Sequence, residues 1–114
     1  MTKDASKETQ EKIAQLQKLE QAIQNSALQM QQFNGQLVEL DSALKEIDAT
    51  DKAYKIVGNI MVAAEKKDLK EELSKKKEMV ELRIKTLEKQ EERFNEKAKS
   101  LQEEVMKELN KEKE

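Results

Sequence analysis

The chain has 114 residues, with no Pro, Cys, His or Trp, two Gly, one Tyr, two Phe, and 40% charged side chains. Twenty-two basic against 24 acidic residues leave a net charge of −2, too balanced for binding nucleic acid or an anionic membrane through net charge. Without Cys or His there is no disulfide framework, no thiolate or imidazole metal site, and no nucleophile of the Cys or Ser/His type. Carboxylates are plentiful, but acid–base catalysis needs a pocket that perturbs a pair of them. No enzymatic activity and no cofactor are expected. Apolar residues make up 36%, below the roughly 45–50% of ordinary globular domains, so a compact core is not expected. They are sparse but periodic, which separates the chain from disordered sequences and points to long helices. No apolar run approaches the ~18–20 residues of a membrane span, and residues 1–12 are too polar for a signal peptide. A soluble cytoplasmic protein is expected, with neither a nucleic acid nor a membrane as partner.

Residues 1–48 read as one long helix, with Asp4 or Ser6 as its N-cap. Leu16, Ile23, Met30, Leu37 and Leu44 recur every seven residues, and Leu19, Ser26, Phe33, Leu40 and Ile47 form the companion row. Only Ser26 among these is polar, so the two rows read as the core seam of a coiled coil. Gly35 interrupts the helix at a cost of about 0.5–1 kcal/mol relative to Ala, and it could serve bending or close contact. Residues 53–64 are the next element, Tyr54-Lys55-Ile56-Val57-Gly58-Asn59-Ile60-Met61-Val62 with flanking Ala, read as a β-hairpin. Residues 65–114 return to helix formers, with 15 charges of each sign. Glu71–Lys75, Glu72–Lys76, Glu81–Lys85 and Glu103–Lys107 stand in the favourable i,i+4 order. Leu73, Val80, Leu87, Phe94 and Leu101 repeat the seven-residue spacing there, beside Ile84, Ala98 and Val105. The whole chain, 1–114, is expected to be one domain.

The two helices fit one another if the chain folds back. Leu16 with Leu101, Ile23 with Phe94, Leu37 with Val80 and Leu44 with Leu73 are pairs whose residue numbers add to 117. The same holds for Leu19 with Ala98 and Phe33 with Ile84, and the polar Ser26 falls opposite the polar Glu91. The midpoint lies between Gly58 and Asn59. The expected fold is mainly α, two long helices in an antiparallel coiled coil joined by the hairpin.

Gly-Asn between two short β-prone runs signals a two-residue hairpin turn, because the primed turns need positive φ. In that register Val57 faces Ile60 and Lys55 faces Val62 on one side, while Ile56 faces Met61 and Tyr54 faces Ala63 on the other. Both faces are mostly apolar and both edges are open, which invites pairing with further strands. Tyr54, Ile56, Val57, Gly58, Asn59, Ile60, Met61 and Val62 are therefore the candidate oligomerisation surface, joining other hairpins into a shared sheet or barrel. The plainer reading is an unusual helix–helix connection.

This order of elements resembles the β-class subunits of prefoldin, most of all the archaeal β subunit and more distantly the eukaryotic subunits 2 and 6. The resemblance rests on the Tyr54-to-Val62 hairpin, on Leu69-Lys70-Glu71-Glu72-Leu73, on the charged helix through Leu87-Glu88-Lys89-Gln90-Glu91-Glu92-Arg93, and on a Gln-rich first helix. It implies an ATP-independent co-chaperone subunit. Such subunits form a hexamer of two α-class and four β-class chains whose hairpins build β-barrels. Their coiled coils hang free, hold unfolded client proteins at the tips and deliver them to a group II chaperonin.

If the hairpin is the platform, the other end of the coil carries both termini. There Thr9 and Lys12 occupy the core positions facing Glu108 and Val105, so apolar residues of the second helix outlast those of the first. Ile13, Leu16, Leu101, Val105, Met106 and Leu109 are the candidate client-binding tip, with Met106 supplying an adaptable side chain. Frayed-end packing is the alternative for the tip. For the whole chain, the alternative is a structural or tethering coiled-coil module oligomerised through its hairpin.

Overall fold

A computed structural model describes residues 6–113. Helix α1 spans Lys7–Asp48, strands β1 and β2 span Ala53–Val57 and Ile60–Ala64, and helix α2 spans Lys66–Lys113. Ser6 is the N-cap of α1. Its Oγ accepts a hydrogen bond from the Thr9 backbone N–H at 3.1 Å, satisfying one of the amides a helix start leaves free. Asp4, the other candidate cap, lies outside the described residues. At the far end, Ala49 N–H and Thr50 N–H bond back to the carbonyls of Glu46 and Ile47, tightening the last turn. Asp48 is an unfavourable residue beside a helix C-terminus, where carbonyls concentrate negative charge. Two lysines of α2 offset it: Lys66 Nζ reaches the Asp48 carbonyl at 3.4 Å and Lys70 Nζ its carboxylate at 2.8 Å. The Lys70 hydrogen bond holds the Asp48 carboxyl below its usual range.

The chain divides into two compact units, and both helices contribute to each. One unit comprises residues up to Gln29 together with those from Leu87 onward, and the other is Met30–Thr86. In the first, α1 and α2 run antiparallel in the expected register, because Thr9 Oγ1 donates to Glu108 Oε2 at 2.6 Å. Leu87, Ala98, Leu101 and Val105 are its buried apolar side chains, with Leu16, Leu19, Ile23 and Phe94 half-buried. Ser26 is also buried, and its Oγ has no hydrogen-bond partner.

The second unit repeats the pairing. Lys77 Nζ lies 2.7 Å from Asp41 Oδ1 beside the seam, and the Arg83 guanidinium sits 5.7 Å from the Phe33 ring centre. Val80, Ile47 and Ala53 are buried, while Leu37, Leu40 and Leu44 are half-buried. Two facing helices cover only one stripe of each other, so most seam residues keep part of their surface in water. Of the four expected i,i+4 pairs, only Glu72–Lys76, at 3.9 Å, is an ion pair among the described residues. Lys77 reaches Asp41 and Glu81 instead. Exposed pairs gain too little to hold two long side chains in one geometry. Gly35 permits no close approach, since a Cβ there would meet nothing within 4 Å. The Gly is a tolerated defect.

The hairpin has the expected antiparallel register, Val57↔Ile60, Ile56↔Met61, Lys55↔Val62 and Tyr54↔Ala63, closing at Ala53↔Ala64. Gly58 has φ +62°, and no other residue has positive φ. One positive φ at the first central position is the type II′ pattern, so Asn59 contributes no left-handed conformation. The hairpin needs Gly58 for its backbone and takes Asn59 as an ordinary turn residue.

Candidate functional site

Two surfaces emerge, one in each unit. In the Met30–Thr86 unit, the hairpin is anchored at its base and bare beyond it. Ala53 is buried, and Lys55 Nζ donates to both carboxylate oxygens of Glu72 at 3.1 Å, tying β1 to α2. Past that base Ile56 is 68% exposed, Ile60 and Met61 66% each, and Tyr54, Val57 and Val62 are also exposed. An antiparallel pair normally buries one of its faces. Here both stay open, together with two strand edges whose amides and carbonyls lack partners. The helices of this unit leave a groove of about 630 Å³ against the hairpin, lined by Ile47, Ala53, Tyr54, Ile56, Leu69 and Leu73 among others. A second groove of about 470 Å³ runs beside Phe33, Leu40, Met79, Val80 and Arg83. The sequence pattern gave no hint of Met79, or of the exposed Val38 and Leu82, because they lie outside the seven-residue rows.

The second surface is the end of the coil that carries the termini. The expectation that apolar residues there lack cover needs correcting. Val105 is 7% exposed and Leu101 is buried, while Ile13, Leu16 and Leu109 are half-buried. Of the six candidates only Met106, at 60%, stands largely in solvent. The reason is a polar cluster built from the two residues that looked like gaps in the seam. Thr9 is fully buried, and its hydroxyl bonds Glu108 Oε2 and stands 2.8 Å from Ser6 Oγ. Lys12 Nζ donates to Glu108 Oε1 and lies 3.5 Å from Glu104 Oε2, so it reaches both carboxylates that flank Val105 in sequence. The Lys12 and Thr9 hydrogen bonds hold the Glu108 carboxyl below its ordinary value, and Glu108 raises Lys12. The seam is closed here by charge and hydroxyl rather than by apolar contact.

No helix among the described residues is long and apolar enough to cross a membrane. Residues 10–112 match the family model described as "Prefoldin subunit". The chain is similar to the prefoldin subunit beta of Archaeoglobus fulgidus, 42% identical over 92 residues that cover 78% of this chain and 79% of the relative. It is also similar to the prefoldin subunit beta of Methanothrix thermoacetophila, 33% identical over 112 residues covering 96% and 93%. Among solved structures, the crystal structure of the prefoldin beta subunit from Thermococcus strain KS-1 superposes with a TM-score of 0.86 at 33% identity. That alignment covers 96% of this chain and 97% of the Thermococcus chain. With the antiparallel helices, the bare hairpin and the matched sequence in agreement, the chain belongs to the prefoldin subunit family, in its β class.

Proposed function

We propose that the chain is an ATP-independent co-chaperone subunit that assembles through its hairpin and holds unfolded proteins at its coiled-coil tip. The observation that carries this reading is a two-stranded hairpin with both faces apolar and exposed, since such a hairpin is marginal alone and gains stability from partner strands. Tyr54, Ile56, Val57, Ile60, Met61 and Val62 supply the contact, and Gly58-Asn59 the turn. The partners are a prefoldin α-class subunit and further copies of this chain, in a cytoplasmic hexamer of two α and four β subunits. Unfolded clients pass from this assembly to a group II chaperonin. The client surface comprises Ile13, Leu16, Leu101, Val105, Met106 and Leu109, several tips acting on one client so that each added contact is effectively intramolecular.

The test deletes residues 1–12 and 102–114 together, which removes Val105, Met106 and Leu109 and leaves the hairpin and the seam from Leu16 to Leu101 intact. The truncated chain should assemble to the same subunit number, measured by light scattering, and lose most of its ability to keep denatured proteins from aggregating. A truncated assembly that protects as well as the full-length one refutes tip capture and moves the client surface to the grooves beside the hairpin.

A further inference from the structure

Met106 alone is a small surface on which to hold an unfolded chain. Docking surfaces of soluble proteins are contiguous apolar patches of several hundred Å², and in this structure the tip offers one exposed Met flanked by the half-buried Ile13 and Leu109. The remaining apolar groups of the tip, Leu101 and Val105 above all, are inside the seam. What shuts them in is the polar cluster of Ser6, Thr9, Lys12, Glu104 and Glu108. We propose that Thr9, Lys12 and Glu108 form a latch that keeps the tip closed, and that capture of an unfolded chain requires this latch to open. The inference rests on the tip being the client surface and adds how access to that surface is controlled.

The chemistry of the cluster suits a latch better than a permanent clamp. Its ionic members keep contact with water: the side chains of Lys12 and Glu108 are 24% and 27% exposed, and that of Glu104 is 51% exposed. Ion pairs of this exposure are weak and screened by salt, so water can replace them when the helices part. An apolar pair at the same two positions would hold the seam by burial and reopen far less readily. Thr9 marks the closed state. Its hydroxyl is fully buried and reaches Glu108 across the seam only while the helices are together. When the latch opens, Thr9 and Glu108 find water, and Leu16, Leu101 and Val105 become available to a client together with Ile13, Met106 and Leu109. A closed latch also hides these residues from the tips of other assemblies, which would otherwise adhere to one another.

The absence of native cysteine makes the test direct. T9C and E108C are introduced together in the full-length chain, and a short bis-maleimide joins the two thiols across the closed tip. The probe is reduced, carboxymethylated α-lactalbumin, which stays unfolded in buffer, and its binding is followed by fluorescence anisotropy before and after cross-linking of the same preparation. Cross-linking should weaken binding at least tenfold, whereas the uncross-linked double variant, its latch removed, should bind at least as tightly as the native chain. A milder opening variant, E108Q, should bind the probe about threefold or more faster, with unchanged helix content. Equal binding by cross-linked and uncross-linked protein, when deletion of residues 1–12 and 102–114 abolishes binding, overturns the latch and leaves the tip as client surface. Undiminished binding by that deletion overturns tip capture itself, and the latch with it.

Discussion

Replacing Ile56 and Ile60 with Asp tests assembly through the hairpin. The two side chains stand next to the turn on opposite faces of the strand pair and keep 68% and 66% of their surface exposed. Burying an entire Ile side chain contributes about 1.5–3 kcal/mol, so covering what remains exposed contributes about 1–2 kcal/mol at each position. The pair then accounts for about 2–4 kcal/mol per hairpin, or roughly 30- to 1,000-fold in dissociation constant. Two carboxylates in the same apolar contact add an uncompensated desolvation cost of at least comparable size. Neither substitution touches the 42-residue and 48-residue helices, so far-ultraviolet circular dichroism should change little. Light scattering coupled to gel filtration should instead find the chain unable to enter the assembly at concentrations where the native chain is fully incorporated. A full-sized assembly with a native dilution midpoint would show that the hairpin faces are not the contact.

Three further outcomes follow from the seam and the tip. Leu37→Cys with Val80→Cys should form a disulfide within one chain, because this pair faces across the seam in the register that the Asp41–Lys77 contact supports; cross-links found only between chains would contradict that register. Ser26→Ala should stabilise the protein by about 1 kcal/mol, since it removes a buried hydroxyl that has no partner and favours helix, and a lower melting temperature would refute this. Acid should loosen the tip: Glu108 is held below its ordinary value by Lys12 and Thr9, with Lys111 adding to the effect and Glu104 also on Lys12, so its stabilisation is complete above the ordinary glutamate range and lost as pH falls through the depressed value. Hydrogen exchange after acid pulses should show protection of residues 9–13 falling in that window in the native chain and not in E108Q.

Much of this fold was legible because its elements repeat. Seven-residue rows declare a seam without any tertiary information, and a fold-back with a two-residue turn leaves one register in which Ser26 meets Glu91 rather than an apolar residue. The hairpin pairs were equally readable, since a two-residue turn fixes every partner once Gly58-Asn59 is placed. The tip was misread for a definite reason. Apolar patterning treats Thr9 and Lys12 as holes in the seam, but a hydroxyl and an ammonium on one helix can satisfy a carboxylate on the other, and only coordinates show that Glu108 reaches both. The exposed Val38, Met79 and Leu82 were invisible for a related reason, because periodicity marks what faces the seam and carries no information about the outer faces. The surface ion pairs were over-read, because i,i+4 spacing permits a contact without making it favourable.

The central claim is that this β-class prefoldin chain contributes to holding unfolded proteins without consuming ATP. The most direct measurement mixes the purified chain with an α-class subunit, isolates the complex, and follows by light scattering the aggregation of several unrelated proteins diluted from denaturant in ATP-free buffer. The account predicts suppression of all of them at near-stoichiometric amounts of complex, and release to a group II chaperonin added afterwards. Suppression of none, or of a single defined partner only, would contradict it and favour a tethering module built on the same hairpin.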